Sequence, residues 1–175
     1  MRTQLLNIRP LHGQDGPTID TVFAVLSERS RYLRFHAPMP RLPGSVRRGL
    51  LHLCPGDRAA LVAEVPGPSA PLPVGIARLG RTGLAEAEFA ITVVDDWHGL
   101  GIGRRLLTEL DELAGQLGFA RIHGFVLREN QQMLRLLERV FPSAERLSDG
   151  GVVRVDCQVR ASQRPRAPRS PVLVE

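Results

Sequence analysis

EAEFAITVVDDWHGLGIGRRLLTELDELAGQLGF, from Glu86 to Phe119, is the stretch on which the fold turns. Ala87, Phe89, Ile91 and Val93 alternate with Glu86, Glu88, Ala90 and Thr92, the period of a strand with one buried face. The chain then breaks at Asp95-Asp96-Trp97-His98 and passes through Gly99, Gly101 and Gly103. Beyond them Ile102, Leu106, Leu107, Leu110, Leu113, Ala114 and Leu117 recur at helical spacing, up to a stop at Gly118. A strand feeding a helix through alternate glycines gathers backbone N–H groups at the helix's positive end, a cradle suited to phosphate or pyrophosphate. The plainer reading is a tight turn with close helix packing. A Walker A loop is excluded, because Arg104 follows the last glycine and the chain has no lysine. The glycine spacing also departs from the dinucleotide fingerprint.

Working outward, Leu5 to Arg9 predicts a first strand. Helices are expected over Pro17 to Leu26, from Ser27 through Phe35, and over Ser45 to Leu53. Leu61 to Val65 and Val74 to Leu79 read as strands joined by a PGPSAPLP loop. After the central strand and helix come a strand at Ile122 to Leu127 and a helix from Asn130 to Phe141. A final strand, Val152 to Val159, follows the hairpin signal Asp149-Gly150-Gly151. These elements predict an α/β domain over residues 1–160, and a right-handed crossover from the central strand to a parallel neighbour at Ile122. Its ligand crevice is expected where the central strand meets the glycines. Residues 161–175, rich in Arg and Pro, are expected to form a disordered tail.

Composition narrows the function classes. No apolar run approaches the ~18 residues of a membrane span, and no secretory core is present, so a cytoplasmic setting is expected. The two cysteines, Cys54 and Cys157, give neither a disulfide framework nor metal-ligand spacing. Net charge is +5, with all 23 basic residues arginine. These arginines are scattered, and aromatic content is only 5%, too thin for base stacking, so no nucleic-acid partner is expected. Asp95 and Asp96 read as turn or capping residues rather than metal ligands.

VVDDWHGLGIGRRLL resembles the acyl-CoA-binding motif of GNAT-superfamily N-acetyltransferases, with His98 at the motif's Gln/Arg position and Gly101 and Gly103 matching. Ser27 to Leu42, LVAEV, GIARL, AEFA and LRENQQMLRLL are similar to segments of the acetyltransferase domain of bacterial protein lysine acetyltransferases, in the same order. The resemblance spans roughly Leu5 to Val159. It implies a single GNAT-type domain with a mixed, mostly antiparallel sheet of about six to seven strands flanked by helices. Acetyl-CoA is the implied co-substrate, a protein lysine the implied acceptor, and a homodimer one implied assembly. A small-molecule amine acceptor and a catalytically silent acyl-CoA-binding regulatory module are the competing readings.

Transfer of an acetyl group to an amine requires that amine to be neutral. For lysine, with a pKa of ~10.4, this costs about 4.6 kcal/mol at pH 7. A positioned carboxylate can take the proton. Glu86 and Glu88 share a strand face, so periodicity does not choose between them; the resemblance assigns the general base to Glu88. It also implies acyl and pantetheine contacts from the backbone at Val93 and Val94, on a strand that splays from its neighbour. His98, Gly99, Leu100, Gly101, Ile102, Gly103 and Arg104 would wrap the pyrophosphate, mostly through main-chain N–H groups. Asn130 would contact the pantetheine arm as well as cap its helix. Many GNAT enzymes carry a tyrosine acid seven residues further on; this chain has Leu137. Arg31 and Arg34 are expected near the acceptor side, either serving it or forming a solvated helix face.

Overall fold

A computed structural model describes residues 4–160 and 172–174. The elements run β1 (Gln4–Pro10), α1 (Gly16–Val25), α2 (Glu28–Phe35), α3 (Gly44–Leu51), β2 (Arg58–Val65), β3 (Leu72–Gly83) and β4 (Glu86–Val93). They continue through a 3₁₀ turn (Asp95–Trp97), α4 (Ile102–Gln116), β5 (Arg121–Leu127), α5 (Gln131–Val140), β6 (Glu145–Asp149), β7 (Val152–Gln158) and β8 (Val172–Val174). The strands form one sheet in the order β6-β7-β5-β4-β3-β2-β1-β8. Every pairing is antiparallel except β4 with β5, the two strands that α4 joins.

The sheet therefore has eight strands, against an expected six to seven. The added strand is β8, whose Val174, Leu173 and Val172 pair with Gln4, Leu5 and Leu6 of the same chain. The expected disordered tail otherwise lies outside the described residues. β6 was announced only by its hairpin glycines, because all five of its residues are exposed and carry no apolar alternation.

The alternation read from the sequence decides which helices cover which face. Ala87, Phe89, Ile91 and Val93 point into the main core with Leu106, Leu107, Leu110 and Ala114 of α4 and Leu134 and Leu137 of α5. Burying each of those leucines contributes about 2 kcal/mol. α1 and α3 close the opposite face through Ile19, Leu50 and Leu51 over Ala60, Val62 and Ile76. At its end α4 turns on Gly118 (φ 79°), and the Phe119 amide donates back to the Ala114 carbonyl at 3.0 Å. That satisfies a terminal carbonyl and launches β5 parallel to β4. No helix among the described residues is long and apolar enough to cross a membrane.

Candidate active site

The site begins where β4 and β5 part. They pair only at Glu86↔Arg121, Ala87↔Ile122 and Glu88↔His123, although both strands run on for several residues. The Phe89 ring fills the opening gap: a Cβ at Gly124 would lie 2.6 Å from it. At the end of β4 the Val94 amide donates to the Val74 carbonyl at 2.9 Å. Successive strand residues present their backbone groups to opposite edges, so Val93 offers its N–H to the open edge. Of the two valines expected to serve an acyl group through the backbone, Val94 has its amide occupied and Val93 has not. The His98 ring donates from Nε2 to the Val93 carbonyl at 2.8 Å, which fixes the loop against the strand end.

The glycine loop supplies more free donors. Gly99 and Gly101 have φ of 78° and 81°, a conformation that side-chain-bearing residues seldom adopt. Gly103 serves packing instead, since a Cβ there would sit 2.9 Å from Leu136 Cδ2. The amides of Gly99, Leu100, Gly101, Ile102, Gly103 and Arg104 meet no acceptor among the described residues. They lie at and just before the start of α4, where the helix dipole also favours an anion. The Ile102 side chain is buried in the core, so its contribution is its amide.

One cleft of about 720 Å³ joins the loop to the strand gap. Glu88, Val93, His98, Gly99, Gly101, Ile102, Gly103, Arg104 and Asn130 line it, whereas Val94 and Leu100 do not. Asn130 caps α5 by accepting the Met133 amide at 3.1 Å, leaving its side-chain NH₂ free. The two glutamates that periodicity left equivalent differ in their surroundings once β5 is in place. Arg121 lies opposite Glu86 and forms an ion pair with it. Glu88 has neither a hydrogen bond nor an ion pair among the described residues and faces the cleft.

α2 forms the other wall. Its cap, Ser27, accepts the Ser30 amide and is clamped by Asp95. Asp95 accepts the Ser27 amide at 2.9 Å, the Ser27 hydroxyl at 2.8 Å and the Ser30 hydroxyl at 2.6 Å. Burial pushes the Asp95 carboxyl up, but these donors outweigh it and hold the carboxyl below its usual range. Arg31 is committed to the scaffold. It donates to the Phe23, Ala24 and Pro40 carbonyls and lies 4.5 Å over the Phe23 ring. Arg34 instead lines the cleft, as does His36, which ends α2 with φ 57°. Burial pushes the His36 imidazole down and Arg34 adds to that, while Glu88 pulls the other way.

Leu137, at the position of the usual tyrosine acid, is fully buried in the core, and Met133 and Leu136 face the cleft in its place. Arg135 and Arg139 also line it, beside Arg104, and none of the three has a carboxylate partner among the described residues. The sequence reading missed these two α5 arginines, although their i,i+4 spacing puts them on one helix face.

The family model of the GNAT acetyltransferases matches residues 40–141. The GNAT domain of S. lividans PAT is 26% identical with a TM-score of 0.79, over 86% of this chain and 89% of that one. A cAMP-binding acyltransferase from Mycobacterium smegmatis is 26% identical with a TM-score of 0.60 over 92% of this chain. It is matched over only 46% of its own length, so the present chain spans about half of it. A spermidine N-acetyltransferase SpeG chimera from Vibrio cholerae and hSSAT, 18% identical with a TM-score of 0.65, shares the fold over 87% of this chain and 95% of that one. The GNAT fold generally binds acetyl-CoA. The strand pair that opens at Glu88, the loop of free amides and a family match over more than half the length agree: the chain belongs to the GNAT acetyltransferase family.

Proposed function

We propose that the protein transfers an acetyl group from acetyl-CoA directly to an amine, a protein lysine, with Glu88 as general base. The observation that carries the reading is one cleft lined both by Gly99, Gly101, Ile102, Gly103 and Arg104, whose amides are unpaired, and by Glu88, whose carboxylate is unpaired. The cradle fits the co-substrate's diphosphate, because free N–H groups at a helix start are what a phosphate needs. Arg104 adds a charge-assisted bond. Asn130 offers its free NH₂ to the pantetheine arm. The Val93 N–H, aimed into the strand gap, polarises the thioester carbonyl as charge develops on its oxygen.

Glu88 takes the proton from the acceptor ammonium, directly or through a water. The neutral amine then forms the C–N bond at the acetyl carbon, and the tetrahedral adduct gives its remaining extra N–H proton to solvent as the C–S bond breaks. With Leu137 buried, that position supplies no acid, so the thiolate of coenzyme A leaves unaided. A thiol pKa of ~8.5 makes it an adequate leaving group. The lysine acceptor is supported by the order of sequence segments shared with bacterial protein lysine acetyltransferases. A second copy of the chain as partner and a cytoplasmic setting complete the proposal.

The test is acetyl-CoA-dependent thiol release against protein and small-amine acceptors, with Glu88→Gln as control. The variant is expected to keep acetyl-CoA affinity and lose at least roughly tenfold in rate, the low end for a lost general base. Unchanged turnover removes Glu88 from the mechanism. Binding of acetyl-CoA without turnover of any acceptor turns the assignment to the silent regulatory module, and turnover of small amines alone turns it to a small-molecule enzyme.

A further inference from the structure

Arg78 of β3 lies opposite Ala90 of β4, and Gly80 opposite Glu88. Residues opposed across strands share a face, so Arg78 projects on the same side of the sheet as Glu88, Ala90 and Thr92. α2 crosses that side and brings Arg34 to it. Arg34 and Glu88 line the cleft together, and Arg34 and Arg78 both line an apolar recess beside it with Phe23, Leu26, Phe35 and Thr92.

Two half-buried arginines thus line one recess, and neither closes an ion pair with a carboxylate among the described residues. Arg34 makes no hydrogen bond or ion pair to any described residue, only a face contact with the Phe35 ring at 5.0 Å. Arg78 donates a single bond, to the Gly49 carbonyl at 3.2 Å. Three arginines of the surrounding scaffold, by contrast, are spoken for: Arg31 by three carbonyls, Arg47 by both oxygens of Asp20, Arg81 by Asp57. An idle arginine on a solvated helix face would need no explanation, but burial, with Arg78 adding to it and Glu88 opposing, pushes Arg34 down to about 10. Holding like charges together in partly dry surroundings is unfavourable until an anion joins them. Arg34 and Glu88 also share the cleft without closing an ion pair, which leaves room for a molecule bearing both signs of charge.

Resting on the acetyl-transfer reading above, we propose that Arg34, seconded by Arg78, is an anion subsite for the acceptor. The amine that reaches Glu88 then belongs to a protein lysine flanked by an aspartate or glutamate, whose carboxylate docks on the Arg34 fork. The guanidinium geometry suits a carboxylate, which it can grip through two parallel N–H bonds. The diphosphate cradle, by contrast, lies at the start of α4, where the free amides are.

The test uses two lysine peptides identical except that the flanking residues are Asp and Glu in one and Asn and Gln in the other. Free lysine and cadaverine form a small-molecule pair. Wild type is expected to show kcat/KM at least about tenfold higher for the acidic peptide at low salt, the scale of one charged hydrogen bond. Arg34→Gln brings that ratio near one, Arg78→Gln lowers it, and Arg34→Glu reverses it. Equal kcat/KM for the two peptides in wild type, or a preference that survives Arg34→Gln, overturns the subsite while acetyl transfer stands. Turnover of free lysine over cadaverine, with neither peptide used, overturns the protein-borne form and moves the carboxylate to a free amino acid. If no acceptor turns over, the acetyl-transfer reading fails instead, and peptide binding by fluorescence anisotropy decides the subsite. Acidic peptide held about tenfold tighter by wild type but not by Arg34→Gln supports it; equal affinities overturn it.

Discussion

Asp95 joins the end of β4 to α2, a helix with no buried residue of its own, and removing that carboxylate tests whether α2 depends on it. In Asp95→Ala three bonds are lost, from the Ser27 amide and the Ser27 and Ser30 hydroxyls at 2.9, 2.8 and 2.6 Å. A hydrogen bond to a charged group is worth about 1.5–3 kcal/mol when buried. The serines are partly exposed and can turn to water, so we discount to about 1 kcal/mol each and expect a loss of about 2–3 kcal/mol. For a domain of this size that is a fall in Tm of roughly 4–12 °C. Asp95→Asn keeps one acceptor and is expected to lose about half as much. The Asp95 carboxyl is held below its usual range in the fold. Its stabilisation is therefore complete above the ordinary aspartate value of ~3.9 and is lost as pH falls through the lower, folded value. Thermal melts of wild type and Asp95→Ala should stay a constant distance apart from neutral pH down to about 5, then converge on further acidification. A variant melting with wild type at pH 7, or a gap that acid does not narrow, refutes the clamp.

Gly124→Ala places a Cβ 2.6–2.9 Å from three atoms of the Phe89 ring. With Phe89 only 4% exposed, the ring cannot swing clear, and overpacking should cost about 1–3 kcal/mol by denaturant unfolding; an unchanged midpoint would show that the gap between β4 and β5 is softer than described. The two thiols should separate under a thiol reagent at neutral pH. Burial, with Asp111 and Asp156 adding to it, pushes Cys157 up to about 12, and it is 1% exposed, so only Cys54 should react until the chain is unfolded. Rapid labelling of both in the folded protein would contradict that burial.

The strand, loop and helix from Glu86 to Phe119 were legible because each carries its own local period and its own stop. A two-residue alternation, alternate glycines, a helical stripe and Gly118 are all visible without tertiary information. The choices left open were those made by distant residues. Glu86 and Glu88 are equivalent on β4 until β5 brings Arg121 opposite the first of them. Arg31 and Arg34 sit one turn apart on α2, and only the carbonyls of Phe23, Ala24 and Pro40 distinguish the scaffold arginine from the one facing the cleft. Asp95 read correctly as a turn residue, but its partners lie 65 and 68 residues away. His98 matched a motif position, yet its ring is occupied by the Val93 carbonyl, a contact no spacing rule anticipates. β6 was signalled only by its hairpin glycines and β8 fell in the expected disordered tail, because a fully exposed strand and a three-residue strand leave almost no pattern to read.

The strongest pointer to the site is the distribution of satisfied and unsatisfied polar groups rather than any single residue. Folded chains pair nearly all of their buried donors and acceptors, and this one does so with care nearby. Glu86 has Arg121, Asp95 has two serines, Arg31 has three carbonyls and the Val94 amide has Val74. Groups of the same chemical types stand open only a few residues away: Glu88, Arg34, and the amides of Gly99, Gly101, Ile102, Gly103 and Arg104. They are open on one cleft, where β5 leaves β4 and α4 begins. A carboxylate, a guanidinium and a nest of amides left without partners in one place have their complement in a ligand that brings an amine and anionic groups together. That is the combination that the proposed acetyl donor and acidic-flanked amine would present.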